Sequence, residues 1–242
     1  MINLLKTFVL AFSLAAPSLA FAQDGPENLQ YFPTDMTREE IVAEMRHFSF
    51  ALGVRCQHCH ERNPDGRGFD FSSDANPNKE KARVMLFMTD QINRTLASNL
   101  AERSNPPVVV ICKTCHRGSE KPRLLWQEML LAAHEGGAEA AIDRFDYLRE
   151  NYDNTGTYDF REQEVNVAAE ELAAEGMHEE AIIIFQMNAG RFPSSEAPWV
   201  GIGESYEALG DAAGAIEAYE KALSLNANRR DVIGRLEELR GQ

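Results

Sequence analysis

The sequence predicts a mainly α-helical chain in two parts, and three observations carry that prediction. Two C-x-x-C-H motifs, Cys56 to His60 and Cys112 to His116, each follow a stretch with helical apolar spacing. A pattern of small and aromatic residues recurs 34 residues apart near the C-terminus. Charge divides the chain as well: Gln23 to Arg123 holds 14 basic and 14 acidic residues, whereas Leu124 to Gln242 holds 9 and 24. The whole chain of 242 residues carries a net −14 with 44% apolar residues, an ordinary globular composition. So acidic a protein binds polyanions poorly, which argues against nucleic acid and anionic membrane surfaces as partners.

Residues 1–22 read as an export signal. Lys6 supplies the positive start, Thr7 to Ala16 is almost wholly apolar, and Ala20-Phe21-Ala22 places small residues before a cleavage after Ala22. The apolar run is about half of what a bilayer-spanning helix needs. No later stretch is long enough to span, and no cysteine stands at the cleavage site to take a lipid anchor. The expected product is a periplasmic protein.

The expected first domain covers 23–123. Its opening helix is announced by a capping box, with Thr37 as N-cap and Glu40 three residues on, and by Met36 and Ile41 placed as a hydrophobic staple. Ile41, Met45, Phe48 and Leu52 share one face, and Gly53 is placed to end the helix. A second helix opens at Asn76-Pro77, with Asn as cap and Pro at the first position. Met85, Met88, Ile92 and Leu96 mark its apolar face, and Asn105-Pro106-Pro107 closes the segment. The layout is helix, loop, C-x-x-C-H, given twice.

C-x-x-C-H is the spacing of covalent haem attachment. Two thiols, Cys56 and Cys59 or Cys112 and Cys115, add to the vinyl groups of haem, and the following His60 or His116 becomes the proximal iron ligand. A zinc site would use four cysteines without needing a histidine after each pair. A thioredoxin-like pair would sit in a βαβ pattern that is missing here, and two C-x-x-C pairs make an odd disulfide framework. The expectation is two covalently attached haem c groups. For the distal ligands the residues leave choices open: Met45, eleven residues before Cys56, competes with core packing and with His47, and Met85 and Met88 both could face the second iron.

Met45-Arg46-His47-Phe48, Leu52 to His60, Asp74 to Lys79, Ala82 to Met85, Met88 to Asn93 and Cys112 to Gly118 together resemble the cytochrome subunit of photosynthetic reaction centres, over about residues 36–122. The resemblance implies a helix-loop-C-x-x-C-H unit for each haem, with the distal methionine on the preceding helix. Carried across, Met45 caps the haem of Cys56, Cys59 and His60. Met88 caps that of Cys112, Cys115 and His116, with Met85 as fallback. That family carries four haems and commonly a lipid-anchoring cysteine; this chain has motifs for two and lacks that cysteine. The resemblance therefore supports a haem architecture and does not establish photosynthesis.

The second expected domain covers 124–242. Trp199, Ile202, Gly203, Tyr206, Ala215, Tyr219, Ala222 and Ala227 match the slots of a tetratricopeptide repeat. Stepping back 34 residues, the slots hold Val165, Ala168, Ala169, Leu172, Ala181, Phe185, Asn188 and Pro193. The expected repeats are 162–195 and 196–229, followed by a capping helix over 231–239 and preceded by a degenerate hairpin over 124–150. Such a tail identifies a scaffold and not a chemistry.

The leading functional reading is a dihaem c-type cytochrome that carries single electrons between a periplasmic donor and acceptor, and transforms no substrate. Its repeat groove would dock a protein partner. Arg55, Arg117 and Arg123 are candidates to pair haem propionates. The alternatives are a peroxidase-like dihaem enzyme with one open iron, for which Glu44, His47 and His58 are nearby acid/base candidates, or a redox-sensing assembly protein. His134 and His178 read as surface or packing residues of the tail.

Overall fold

Local signals start and stop the first helix. In the computed structural model, which describes residues 25–100 and 107–241, α1 spans Arg38–Leu52. The leader 1–22 and the Asn105-Pro106 stop lie outside the described residues. Both arms of the Thr37/Glu40 capping box form, and Gly53 ends the helix in the left-handed region at φ 69°. Cys56–His58 then makes a single 3-10 turn. Two-residue strands β1 (Glu61–Arg62) and β2 (Phe69–Asp70) pair antiparallel, Glu61 opposite Asp70. Periodicity does not announce this hairpin, because strands so short carry no alternation. α2 spans Pro77–Asn99 with the Asn76 side chain accepting from Asn78 N–H, and α3 spans Cys112–His116.

The remaining helices form an antiparallel stack. α4 (Leu125–Tyr152) is broken at Gly136 and Gly137, whose dihedrals are not helical. α5 (Glu162–Ala174), α6 (His178–Arg191), α7 (Ala197–Ala208), α8 (Ala212–Leu225) and α9 (Arg230–Arg240) follow, each packed on its neighbour. The aromatic slots act as wedges. A Cβ at Gly201 would meet the Phe185 ring at 2.3 Å, and one at Gly203 the Tyr219 ring at 2.4 Å, so only glycine admits either ring. Asn188, in the slot where the next repeat has Ala222, is fully buried and donates to Asn166 Oδ1 at 2.8 Å and to the Glu162 carbonyl at 2.9 Å.

The core is unevenly shared. Among the described residues, Ala51 is the one buried hydrophobic side chain before Leu125, while Leu125, Met129, Phe145, Leu172, Ile184, Phe185 and Tyr219 are sealed in the stack. Glu128 is also buried there, held by Arg144 through Nε at 3.0 Å and Nη2 at 2.6 Å, and by Arg123 at 3.4 Å. Removing one partner of a buried pair strands the other. Arg144→Leu is expected to cost about 2–3 kcal/mol in urea denaturation, and Arg144→Leu with Glu128→Leu distinctly less. Equal losses would show that the pair's desolvation does not matter here.

Candidate haem site

Each motif coils so that its two thiols leave the same side of one turn. In the first, the Cys56 carbonyl accepts from Cys59 N–H at 3.2 Å and from His60 N–H at 3.0 Å. Cys56 is exposed and Cys59 half-buried, and burial, with Glu120 nearby, pushes the Cys59 thiol up. His60 is half-buried with its ring 4.9 Å from that of Phe71, edge to face. Burial, reinforced by the Lys79 charge, holds its imidazole below the ordinary histidine range and so neutral, the form that binds metals. Its Nδ1 is buried without a hydrogen-bond partner.

α2 fastens to this motif at its first turn. Asn78 Nδ2 donates to the His58 carbonyl at 3.0 Å, and Lys79 Nζ donates to the carbonyls of Phe71, Ser72 and Ser73. Phe71 is thereby set against His60. Arg83 and Lys79 also clasp Asp74, and the Arg83 guanidinium holds that carboxyl well below the usual carboxylate range.

The second motif is the whole of α3. It ends at Arg117 with φ 51°, and the reversal brings the Ser119 carbonyl to 3.0 Å from His116 Nδ1. With Nδ1–H donating there, Nε2 keeps its lone pair for a metal, the usual second-sphere arrangement of a ligating histidine. Cys112 is half-buried and its thiol is pushed up by burial, with Glu44 of α1 adding to the shift. Glu44 is near because α1 packs on α3: Gly118 N–H donates to the Ala51 carbonyl at 2.8 Å, and Lys113 Nζ lies 4.0 Å from the Phe50 ring centre. The helix bearing Met45 thus runs beside the second motif, which sequence spacing did not indicate.

Met45 itself is half-buried on the α1 face with Ile41, Phe48 and Leu52, whereas His47 is 75% exposed and pairs with Glu44. On α2 three of the four residues of the expected apolar face are exposed, and Leu96 is half-buried. Met85 and Met88 are 43% and 46% exposed, in a stripe with Ile92, while Leu86, Asn93 and Leu96 are the half-buried side. Asn93 explains the shift: its amide pairs both the N–H and the C=O of Val110, turning that side of α2 toward the segment leading into α3.

The donor set suits haem c. Two thiols on one turn, a histidine directly after each pair and exposed methionines among apolar neighbours are what a large apolar iron macrocycle would engage. Among the described residues no three His, Cys, Asp or Glu side chains converge as a metal-ion cage, and the four thiols stand apart from any disulfide. Arg123 is engaged with Glu128, Arg55 is exposed and Arg117 half-buried. His134 pairs with Glu175 in the helical stack. His58, 22% exposed, lies 3.8 Å from Glu120. Phe71 and the Ser119 carbonyl are site groups that sequence reasoning missed. No local motif marks them.

The chain is mainly helical, with a stretch similar to c-type cytochromes followed by a tetratricopeptide repeat. Residues 63–149 match the family described as photosynthetic reaction centre cytochrome C subunit, and residues 197–229 match a tetratricopeptide repeat. The first match begins after the Cys56–His60 motif, contains the Cys112–His116 motif and runs into α4. Over 92 residues the chain is 34% identical to the photosynthetic reaction center cytochrome c subunit of Rubrivivax gelatinosus (strain NBRC 100245 / IL144). That stretch is 35% of this chain and 24% of the relative, so the chain spans about a quarter of that protein. The likeness implies covalently bound haem c. No helix among the described residues is long and apolar enough to cross a membrane.

Proposed function

We propose that the protein is a periplasmic dihaem cytochrome that passes single electrons between redox proteins, with the repeat tail docking one of them. The observation that carries the reading is the pair of C-x-x-C-H turns, each placing two thiols on one turn with a histidine directly after, His116 oriented by the Ser119 carbonyl. Cys56 and Cys59, and Cys112 and Cys115, would hold the two groups covalently, and His60 and His116 would each supply a nitrogen to iron. Haem c, when bound, supplies a one-electron couple at iron. The chain's own part is to set that couple through axial sulfur, burial and nearby charge. Export through the leader 1–22 supports a periplasmic setting, where covalent haem is attached.

Met45 caps the haem of His60 and Met88 that of His116 in the assignment drawn from the resemblance. The packing of α1 on α3 favours a second assignment, in which Met45 serves His116. Carbon monoxide decides between capped and open irons. The reduced protein is expected to show two low-spin c-type haems with no spectral shift on adding carbon monoxide. A shift at one haem would favour the peroxidase-like alternative. Met45→Ala in the protein lacking Cys112 and Cys115 is expected to admit carbon monoxide. If it admits the gas only when the second motif is intact, the second assignment replaces the first. Met88→Ala is expected to open the other iron and Met85→Ala to leave it closed; the reverse pattern makes Met85 the ligand.

A further inference from the structure

A cleft of about 970 Å³ opens between the C-terminal ends of α4 and α6 and the turn that follows α3. Its charge runs against that of the chain. Four arginines and two aspartates line it, in a protein of net −14. Arg161 is already taken by Asp159, and the Asp153 carboxylate is engaged by Asn154. Arg117, Arg149 and Arg191 are in no ion pair and no side-chain hydrogen bond among the described residues.

Arg191 is the most constrained of the three. Its guanidinium lies 4.5 Å from the ring centre of the fully buried Phe145, and its Nε is buried without a hydrogen-bond partner. A guanidinium set over a ring is held in place, and its planar fork can grip an oxyanion with two parallel N–H bonds. Leaving such a donor unmet is costly, and the acidic tail had 24 carboxylates from which to provide a partner. Arg117 is fixed by Thr157, whose hydroxyl donates to the Arg117 carbonyl at 2.7 Å.

We propose that this cleft binds an oxyanion, a phosphate or carboxylate group gripped by Arg117, Arg149 and Arg191 beside the second C-x-x-C-H turn. Arg149 and Arg191 have no part in the haem assignment above. Arg117 directly follows His116 in sequence, so a bound anion places its charge next to that motif.

The test is calorimetric titration of the full, haem-loaded chain with inorganic phosphate and with succinate, each at ionic strength held constant with sodium chloride. Saturable binding of at least one is expected, weakened about tenfold or more in Arg149→Gln and in Arg191→Gln. Arg240→Gln, in α9 and outside the cleft lining, is expected to leave it unchanged. Phosphate alone binding identifies a phosphoryl ligand, succinate alone a carboxylate. Arg149 is exposed, so its replacement keeps the test valid even if Arg191→Gln perturbs the Phe145 packing. No saturation by either anion, or affinity retained in Arg149→Gln, overturns the proposal.

Discussion

Protein matured with Cys112→Ala and Cys115→Ala is expected to carry one covalent haem per chain in place of two, and so is its Cys56→Ala, Cys59→Ala counterpart. Each motif is chemically self-sufficient: its two thiols sit on one turn and its own histidine follows. Intact mass and haem-to-protein ratio read the result directly. The two losses should differ in their structural cost. α3 is what α1 packs against, through Gly118 and Lys113, so losing the second haem should loosen α1 as well. Limited proteolysis is expected to cut the segment before Leu125 faster in the Cys112/Cys115 variant, while the helical stack, whose core is its own, resists. One haem lost from both variants with identical proteolysis would show that α1 does not depend on the second motif. Two haems retained in either variant would sink the attachment reading.

Gly53→Ala should produce the largest stability loss of any single glycine replacement in the segment before α4. Gly53 stands in the left-handed region at φ 69°, where a side chain costs about 1–2 kcal/mol. A Cβ there would also lie 2.2 Å from the carbonyl oxygen of Gly118 and 3.0 Å from its carbonyl carbon. These are backbone atoms and cannot swing aside. Relief requires moving the end of α1 away from the turn after α3, which breaks the Gly118 to Ala51 hydrogen bond, worth about 1 kcal/mol net. The expected loss is about 3 kcal/mol or more, a large part of a typical domain's stability. Gly66→Ala is the control: φ is 74° and nothing lies within 4 Å of its added Cβ, so only the dihedral cost of about 1–2 kcal/mol applies. Chemical denaturation of the two variants separates the terms, and equal losses would remove the close approach from the account.

The α2 stripe marks the limit of what periodicity says. Met85, Met88, Ile92 and Leu96 recur at helical spacing as one apolar face, yet of the four only Leu96 is half-buried, on the side that also bears Leu86 and Asn93. A hydrophobic period registers that a stripe gains by leaving water; it does not say what covers it. The capping signals behaved differently. Thr37 with Glu40, Gly53, and Asn76 with Pro77 bound their helices where the residues indicated, because each cap is a contact made within four residues. The 34-residue repeat was legible for a related reason, since aromatic residues one period apart, Phe185 and Tyr219, each wedge against a glycine of α7.

From sequence alone came the mainly helical class, the tetratricopeptide repeat over 197–229 and the placement of both C-x-x-C-H motifs on single turns, all of them properties of residues within a turn or a period of one another. Tertiary structure decided that α1 lies on α3, that Ser119 orients His116, that Arg123 spends its charge on Glu128, and that three unpaired arginines meet in one cleft. Gly53 and Gly118 are 65 positions apart, and Arg117 and Arg191 are 74 apart. Contacts at such separations depend on how whole elements pack, and no pattern read along the chain records which surfaces will face each other.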